Sequence, residues 1–148
     1  MRKCAIAVLF LSSLWGCMPP PPGPVTREAE DIQVQAESYL GVPYRYGGTS
    51  RRGMDCSGLV FRLWQDVYGR HVPHSVRQLY RLGKPLMPSQ AQTGDLVFFA
   101  EPGSREPNHV GVVLDGGRFI HASVKKGVII DRMDSPYYRK RFVGVRRL

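Results

Sequence analysis

The stretch Asp55-Cys56-Ser57-Gly58-Leu59-Val60-Phe61-Arg62-Leu63-Trp64-Gln65-Asp66-Val67-Tyr68-Gly69 sets a cysteine directly ahead of an apolar series. Leu59, Val60, Leu63, Trp64 and Val67 recur at three- and four-residue steps and Gly69 closes the series, so residues 57–68 are predicted to form a core helix. Cys56 then lies at or beside a helix N-terminus. A thiol attacks a carbonyl carbon as thiolate, and the positive end of the helix dipole together with a nearby imidazole lowers a thiol pKa. The same helix end carries backbone N–H groups without intrahelical partners, which suits them to hold an oxyanion. Cys56 is the only cysteine beyond residue 17 and so has no evident intrachain partner, which favours reactive chemistry over a disulfide.

Upstream, the segment 41–54 holds Pro43, Gly47, Gly48 and Gly53 and reads as an irregular loop, the kind of element that carries function on a rigid scaffold. Ahead of it, Ile32, Ala36, Tyr39 and Leu40 follow Thr26 and several acidic residues at helical steps, giving a helix closed by Gly41. Pro19 to Pro24, interrupted only by Gly23, reads as an extended polyproline spacer. Arg2 and Lys3 head an apolar run from Cys4 to Leu14 that is shorter than the about 20 residues of a spanning helix, as in a signal peptide. Leu14-Trp15-Gly16-Cys17 resembles the lipobox of bacterial lipoproteins. That resemblance implies loss of residues 1–16, a lipid on Cys17 and a spacer over 17–25, with the folded domain over 26–148. An ordinary signal peptide with an incidental cysteine is the alternative. Met18 instead of Asp after the cysteine favours, by resemblance to Gram-negative sorting, the outer membrane facing the periplasm.

Downstream, a short helix is predicted over 75–82, ended by Gly83, and then strands dominate: 96–100, 110–114, 118–121, 128–130 and 142–145. Helices first and an antiparallel meander afterwards make an α+β domain. His109 opens one strand and His121 ends the next, with Asp115-Gly116-Gly117 as the hairpin signal between them. Strands lie about 4.8 Å apart, so one imidazole can orient the other as a base and its orienting partner. His71 and His74 flank Pro73 in a loop without that framework. One Cys and two His match no zinc spacing, so no metal or cofactor is expected. Without Arg2 and Lys3 the net charge over residues 17–148 is +7, which favours anionic partners such as cell wall or lipid head groups. The basic residues are scattered and no nucleic-acid motif accompanies them, so nucleic acid is not an expected partner.

Six segments in order resemble the NlpC/P60 family of cell-wall cysteine peptidases, from about Ala29 to the C-terminus. They are Gly41-Val42-Pro43-Tyr44-Arg45-Tyr46-Gly47-Gly48, Asp55-Cys56-Ser57-Gly58-Leu59-Val60, Val72-Pro73-His74-Ser75 with Gln78, Gly94-Asp95-Leu96-Val97-Phe98-Phe99, Asn108-His109-Val110-Gly111-Val112, and Phe119-Ile120-His121-Ala122-Ser123. The resemblance implies a papain-like α+β fold, N-terminal helices packed on an antiparallel sheet. It implies Cys56 as nucleophile, His109 as base, His121 as third polar residue, and Tyr44, Asp55 and Ser57 around the free amine of a peptidoglycan stem peptide. It favours the bond between D-γ-glutamyl and a diamino acid, with cross-links at D-alanine as a second target. Asp55 also reads as a helix cap, and Gly94-Asp95 reads as a scaffold turn. Relatives often carry Arg where this chain has His74, and the loop 101–107 is the chain's own. A catalytically silent wall-binding module and an amidase or acyltransferase on a related fold are the alternatives, and nothing requires more than a monomer.

The lipid reading generates its own test. Cys17→Ser should remain an uncleaved or soluble precursor. Fractionation and lipid labelling identical to the unmodified chain would remove the anchor.

Overall fold

The computed structural model describes residues 27–148, so the expectations for the signal segment, Cys17 and the spacer lie outside the described residues. Among the described residues no helix is long and apolar enough to cross a membrane. The helix read from the cysteine stretch is α2, Cys56–Tyr68, with Leu59, Val60, Leu63 and Trp64 buried. Asp55 caps its start from extended backbone, its carboxylate accepting from Gly58 N–H at 2.7 Å. Gly69 ends it in the left-handed region, and the Gly69 and Arg70 N–H groups return to the Gln65 and Trp64 carbonyls. In front of α2 lie α1, Arg27–Glu37, and the short hairpin of β1, Thr49–Ser50, and β2, Gly53–Met54. After it come α3, Val76–Leu82, and β3, Lys84–Leu86.

The remaining strands are β4, Leu96–Phe99, β5, His109–Val113, β6, Arg118–Ser123, β7, Gly127–Arg132, and β8, Phe142–Arg147, with the one-turn helix α4, Pro136–Arg139, before the last. They form one antiparallel sheet in the order β3-β8-β4-β5-β6-β7. Leu96, Phe98, Val110, Val112, Ile120, Ala122 and Val128 face the helices and share a core with Ile32, Leu59, Val60, Leu63 and Leu79. Val97, Phe99, Val113, Phe119 and Val145 form a smaller cluster on the reverse face, covered by Leu86, Met133 and Tyr138. Both faces of β4 are therefore covered, which is why it reads Leu-Val-Phe-Phe without alternation. The α+β reading and the helix-then-sheet order hold.

Four local readings change. The first helix ends at Glu37, because Tyr39 and Leu40 N–H groups bond three residues back and Gly41 N–H turns away to the Val128 carbonyl at 2.9 Å. The glycine-rich loop contains the β1–β2 hairpin. Lys84–Leu86 pairs with β8 although it contains Pro85, which an edge strand tolerates. Residues 136–139 form a helical turn that no apolar periodicity announced. Gly94-Asp95 makes the expected turn, with Gln92 N–H on Asp95 Oδ2 at 2.8 Å. Arg147 adds two unforeseen bonds of 2.7 Å to the same buried carboxylate, tying the C-terminal strand down.

The first turn of α2 is buried against the preceding loop, and Gly58 makes that approach possible. A Cβ there would lie 2.0 Å from the Gly48 carbonyl oxygen. Gly58→Ala should therefore cost about 2–3 kcal/mol in urea unfolding. Gly144→Ala, whose added carbon meets neighbours at ordinary 3.6–3.8 Å, should stay within about 0.5 kcal/mol. Equal losses at the two positions would show that the Gly48 approach is not the constraint.

Candidate active site

Three chain segments meet at the start of α2 because Asp55 bonds to each. Its Oδ1 accepts from Gly58 N–H, from the Ser57 hydroxyl at 3.1 Å and from His74 Nε2 at 2.9 Å, and its Oδ2 accepts from Gly47 N–H at 2.8 Å. Burial alone would raise the Asp55 pKa, but His74 and the Gly58 and Gly47 N–H groups outweigh it and hold the carboxyl below its ordinary value. Tyr44 bridges to Met54 beside this turn. Burial and the neighbouring Cys56 and Asp55 raise its phenol.

Cys56 is a free, buried cysteine that shares the core with Val110 of β5, and the backbone N–H groups of Val110, Ser57 and Cys56 itself favour its thiolate. Val110 follows His109 on β5, so the start of α2 packs beside the strand that His109 opens. Here the expectation of a lowered thiol pKa fails. Burial pushes the Cys56 thiol up to about 11, and the Asp55 charge adds to the rise, against the smaller help of those N–H groups. At neutral pH the resting group is the neutral thiol.

His109 and His121 meet as their strands predicted, with His109 Nε2 2.9 Å from His121 Nδ1. Beyond them lie two residues the sequence did not single out. His121 Nε2 is 3.1 Å from Asp131 Oδ2 on β7 and 3.1 Å from the Tyr138 hydroxyl on α4, and that hydroxyl donates to Asp131 Oδ2 at 3.0 Å. These contacts fix the tautomers of both rings in turn. A carboxylate only accepts, and the Tyr138 proton is already used on it, so His121 carries its proton on Nε2 and presents a bare Nδ1. His109 must then donate from Nε2, which leaves the lone pair of a base on its Nδ1. His121 is held in that pose by Phe119, stacked at 4.9 Å and 21°, and by the edge of Tyr138 at 5.6 Å. Gly111, between His109 and Val113 on β5, has no side chain because a Cβ there would lie 2.6 Å from the Phe119 ring.

The two rings are neutral for electrostatic reasons. Burial, and then the charge His121 would carry, lowers the His109 pKa to about 3. Burial also lowers that of His121, with Asp131 opposing. Tyr138 is raised by burial and then by the Asp131 charge.

The site residues read from sequence are thus brought together in two groups, Tyr44, Asp55, Cys56 and Ser57 around the start of α2, and His109 with His121 on the sheet. His74, set aside as a loop histidine, joins the first group. Asp131 and Tyr138 join the second. The strand read from sequence stopped at residue 130, one short of Asp131, and no signal pointed to Tyr138. Among the described residues no cluster of His, Cys, Asp and Glu is arranged to hold a metal ion.

The chain can be set beside known proteins at this point. The model of the NlpC/P60 family matches residues 41–147. The chain is 37% identical to the probable endopeptidase NlpC of Escherichia coli K12 over 157 aligned positions that take in 100% of both chains. It is 38% identical to the murein DD-endopeptidase MepS/murein LD-carboxypeptidase of the same strain, with 79% of this chain aligned to 61% of that one. A crystal structure of an NlpC/P60 family protein from Bacillus cereus ATCC 10987 superposes with a TM-score of 0.75 at 31% identity, over 80% of this chain and 39% of that one.

The depressed histidines set a direction for pH dependence. Folded His109 stays unprotonated down to about pH 3, whereas an unfolded histidine takes up its proton near about 6.5. Between those values the unfolded chain binds more protons, so stability rises with pH across the window and levels off above it. Urea unfolding from pH 4.5 to 7.5, the experimental range chosen to sit above the carboxylate titrations at about 4, should show a gain of a few kcal/mol at most that shrinks in His109→Asn. A slope of the same size in that variant would detach the effect from His109.

Proposed function

This chain belongs to the NlpC/P60 family, and we propose that it is a peptidoglycan endopeptidase that cuts an amide of the stem peptide with Cys56 as nucleophile, His109 as base and His121 as orienting residue. The observation that carries this reading is the hydrogen-bonded line from His109 Nε2 through His121 to Asp131, on a strand whose next residue, Val110, shares the core with Cys56 at the capped start of α2. Because thiol and imidazole are both neutral at rest, the proton moves from Sγ to His109 Nδ1 as sulfur attacks the carbonyl carbon. The imidazolium formed is stabilised through Nε2–H on His121, and N–H groups of the first turn of α2 receive the oxyanion. Collapse of the tetrahedral intermediate passes the proton from His109 to the leaving amine. Water, activated by His109, then releases the acyl half from sulfur.

On the acyl side, Tyr44, Asp55 and Ser57 form the pocket for a free stem amine. Oδ1 of Asp55 already takes three donors, so the amine would use the remaining lone pair of Oδ2, beside Gly47. This supports the D-γ-glutamyl–diamino acid bond, two residues from a free L-alanine. The second reading, a cross-link at D-alanine, draws support from the similarity to the DD-endopeptidase. Intact Cys56 and His109 speak against a silent wall-binding module, and the Asp-Cys-Ser-Gly segment speaks against an amidase or acyltransferase. Lipid on Cys17 would hold the enzyme as a monomer in the cell envelope beside its polymer, at the outer membrane of a Gram-negative host, raising its effective concentration.

Digestion of purified muropeptides, followed by mass spectrometry, identifies the bond. Cys56→Ala should abolish cleavage with the fold intact, His109→Ala should be nearly as severe, and His121→Ala should lose roughly 10² to 10⁴-fold. Turnover by Cys56→Ala within a few-fold of the parent would falsify the thiol mechanism. Stems with a free amine should be cut faster than N-acetylated ones, and Asp55→Asn should erase that difference. If Asp55 only caps the helix, the variant loses stability and keeps the preference.

A further inference from the structure

A cleft of about 560 Å³ opens beside the histidine pair, bounded by His109 and His121 on one side, the β6–β7 turn on another and the end of α4 on a third. That volume suits a residue or two of a peptide. Three cations line it: Lys125 and Lys126 from the turn, and Arg141 just after α4. Arg62, Arg77, Arg118, Arg132 and Arg147 each have a carboxylate within ion-pair distance. Among the described residues, Lys125, Lys126 and Arg141 have none, as is also true of Arg45, Arg70 and Arg81; what sets these three apart is that they share one cleft.

Arg141 is also held in place without an anion. Its guanidinium lies 3.8 Å above the Tyr137 ring centroid, Nη1 donates to the Tyr137 carbonyl at 3.2 Å, and its buried Nε has no hydrogen-bond partner among the described residues. An orphaned buried donor on a fixed cation is costly unless something completes it. Two carboxylates also line the cleft. Asp131 is occupied by His121 and Tyr138, and Glu101 is exposed, so the balance left for a ligand is positive.

The chemistry of acyl transfer decides which half of the substrate reaches this cleft. The acyl half stays bonded to Cys56 sulfur, and the residues proposed to hold its amine, Tyr44, Asp55 and Ser57, are not among those lining the cleft. The leaving amine takes its proton from His109 and so departs on the side of that ring, where the cleft begins. We propose that this cleft is the leaving-group subsite and that Lys125, Lys126 and Arg141 select a leaving residue bearing a free carboxylate over its amidated counterpart. The inference rests on the Cys56–His109 reading above. A long-range attraction by two exposed lysines and one fixed arginine should discriminate by about tenfold and weaken with salt.

Two stem tripeptides with the same free L-Ala-D-γ-Glu acyl half test it, one ending in diaminopimelate with free carboxylates and the other in the amidated diamino acid. The full chain should prefer the free carboxylate about tenfold in kcat/KM at low salt, and less at high salt. Lys125→Ala/Lys126→Ala, which alters only an exposed turn, and Arg141→Gln should each lower kcat/KM for the carboxylate form more than for the amidated form. Equal rates on both stems, or a preference untouched by these substitutions, would overturn the subsite. Failure to cut either stem would instead count against the D-γ-glutamyl–diamino acid reading of the bond. Titration of diaminopimelate into Cys56→Ala, followed by NMR, still decides the subsite in that case. Shifts centred on Lys125, Lys126 and Arg141 that are absent with the amidated form support it, and no shifts there reject it.

Discussion

The carboxylate of Asp55 is the point on which the site depends. One buried side chain caps α2, accepts from the glycine loop at Gly47, holds the Ser57 hydroxyl and draws His74 across from the segment before α3. Because its oxygens serve four donors from three segments, the position of Cys56 is set by the loop and by His74 as much as by the helix. The close approach of the Gly48 carbonyl to Gly58 belongs to the same constraint.

A second constraint runs through the sheet. Asp131 sets the tautomer of His121, which sets that of His109, so a residue that never nears the thiol determines which nitrogen of the base is bare. Burial keeps both rings and the thiol uncharged at rest. The helix dipole, which sequence alone would make decisive, is outweighed because desolvation acts on the whole charge of a thiolate while the few N–H groups at the helix start offset part of it. Charge separation is thereby deferred to the moment of attack, when the preset hydrogen bonds behind His109 receive the proton's charge. The cations of the cleft that His109 and His121 line are placed to act on the departing half.

Much of this was legible along the chain. The spacing from Leu59 to Val67 marked the central helix, the β-branched and aromatic runs between turn residues marked five strands, and the order of six short segments carried the family resemblance with Cys56, His109 and His121 in it. These signals are local: periodicity, caps and turn residues are properties of neighbouring positions, and the physics that reads them acts within a few residues. Shorter pieces escaped for the same reason. Lys84–Leu86 is a strand only because β8 supplies its hydrogen bonds, and the turn at 136–139 is too short to show a period.

What tertiary structure alone decided is the environment of groups that sequence could name. That Asp131 and Tyr138 stand behind His121, that His74 bonds to Asp55, and that Lys125, Lys126 and Arg141 share one cleft depends on contacts between residues far apart or on different elements. The Cys56 pKa turned on burial, a sum over everything packed around the sulfur. The chain by itself determined which residues can do the chemistry, because side-chain identity and local pattern are written into it. Their protonation and their partners were decided by folding, because desolvation and hydrogen bonding depend on distances in space.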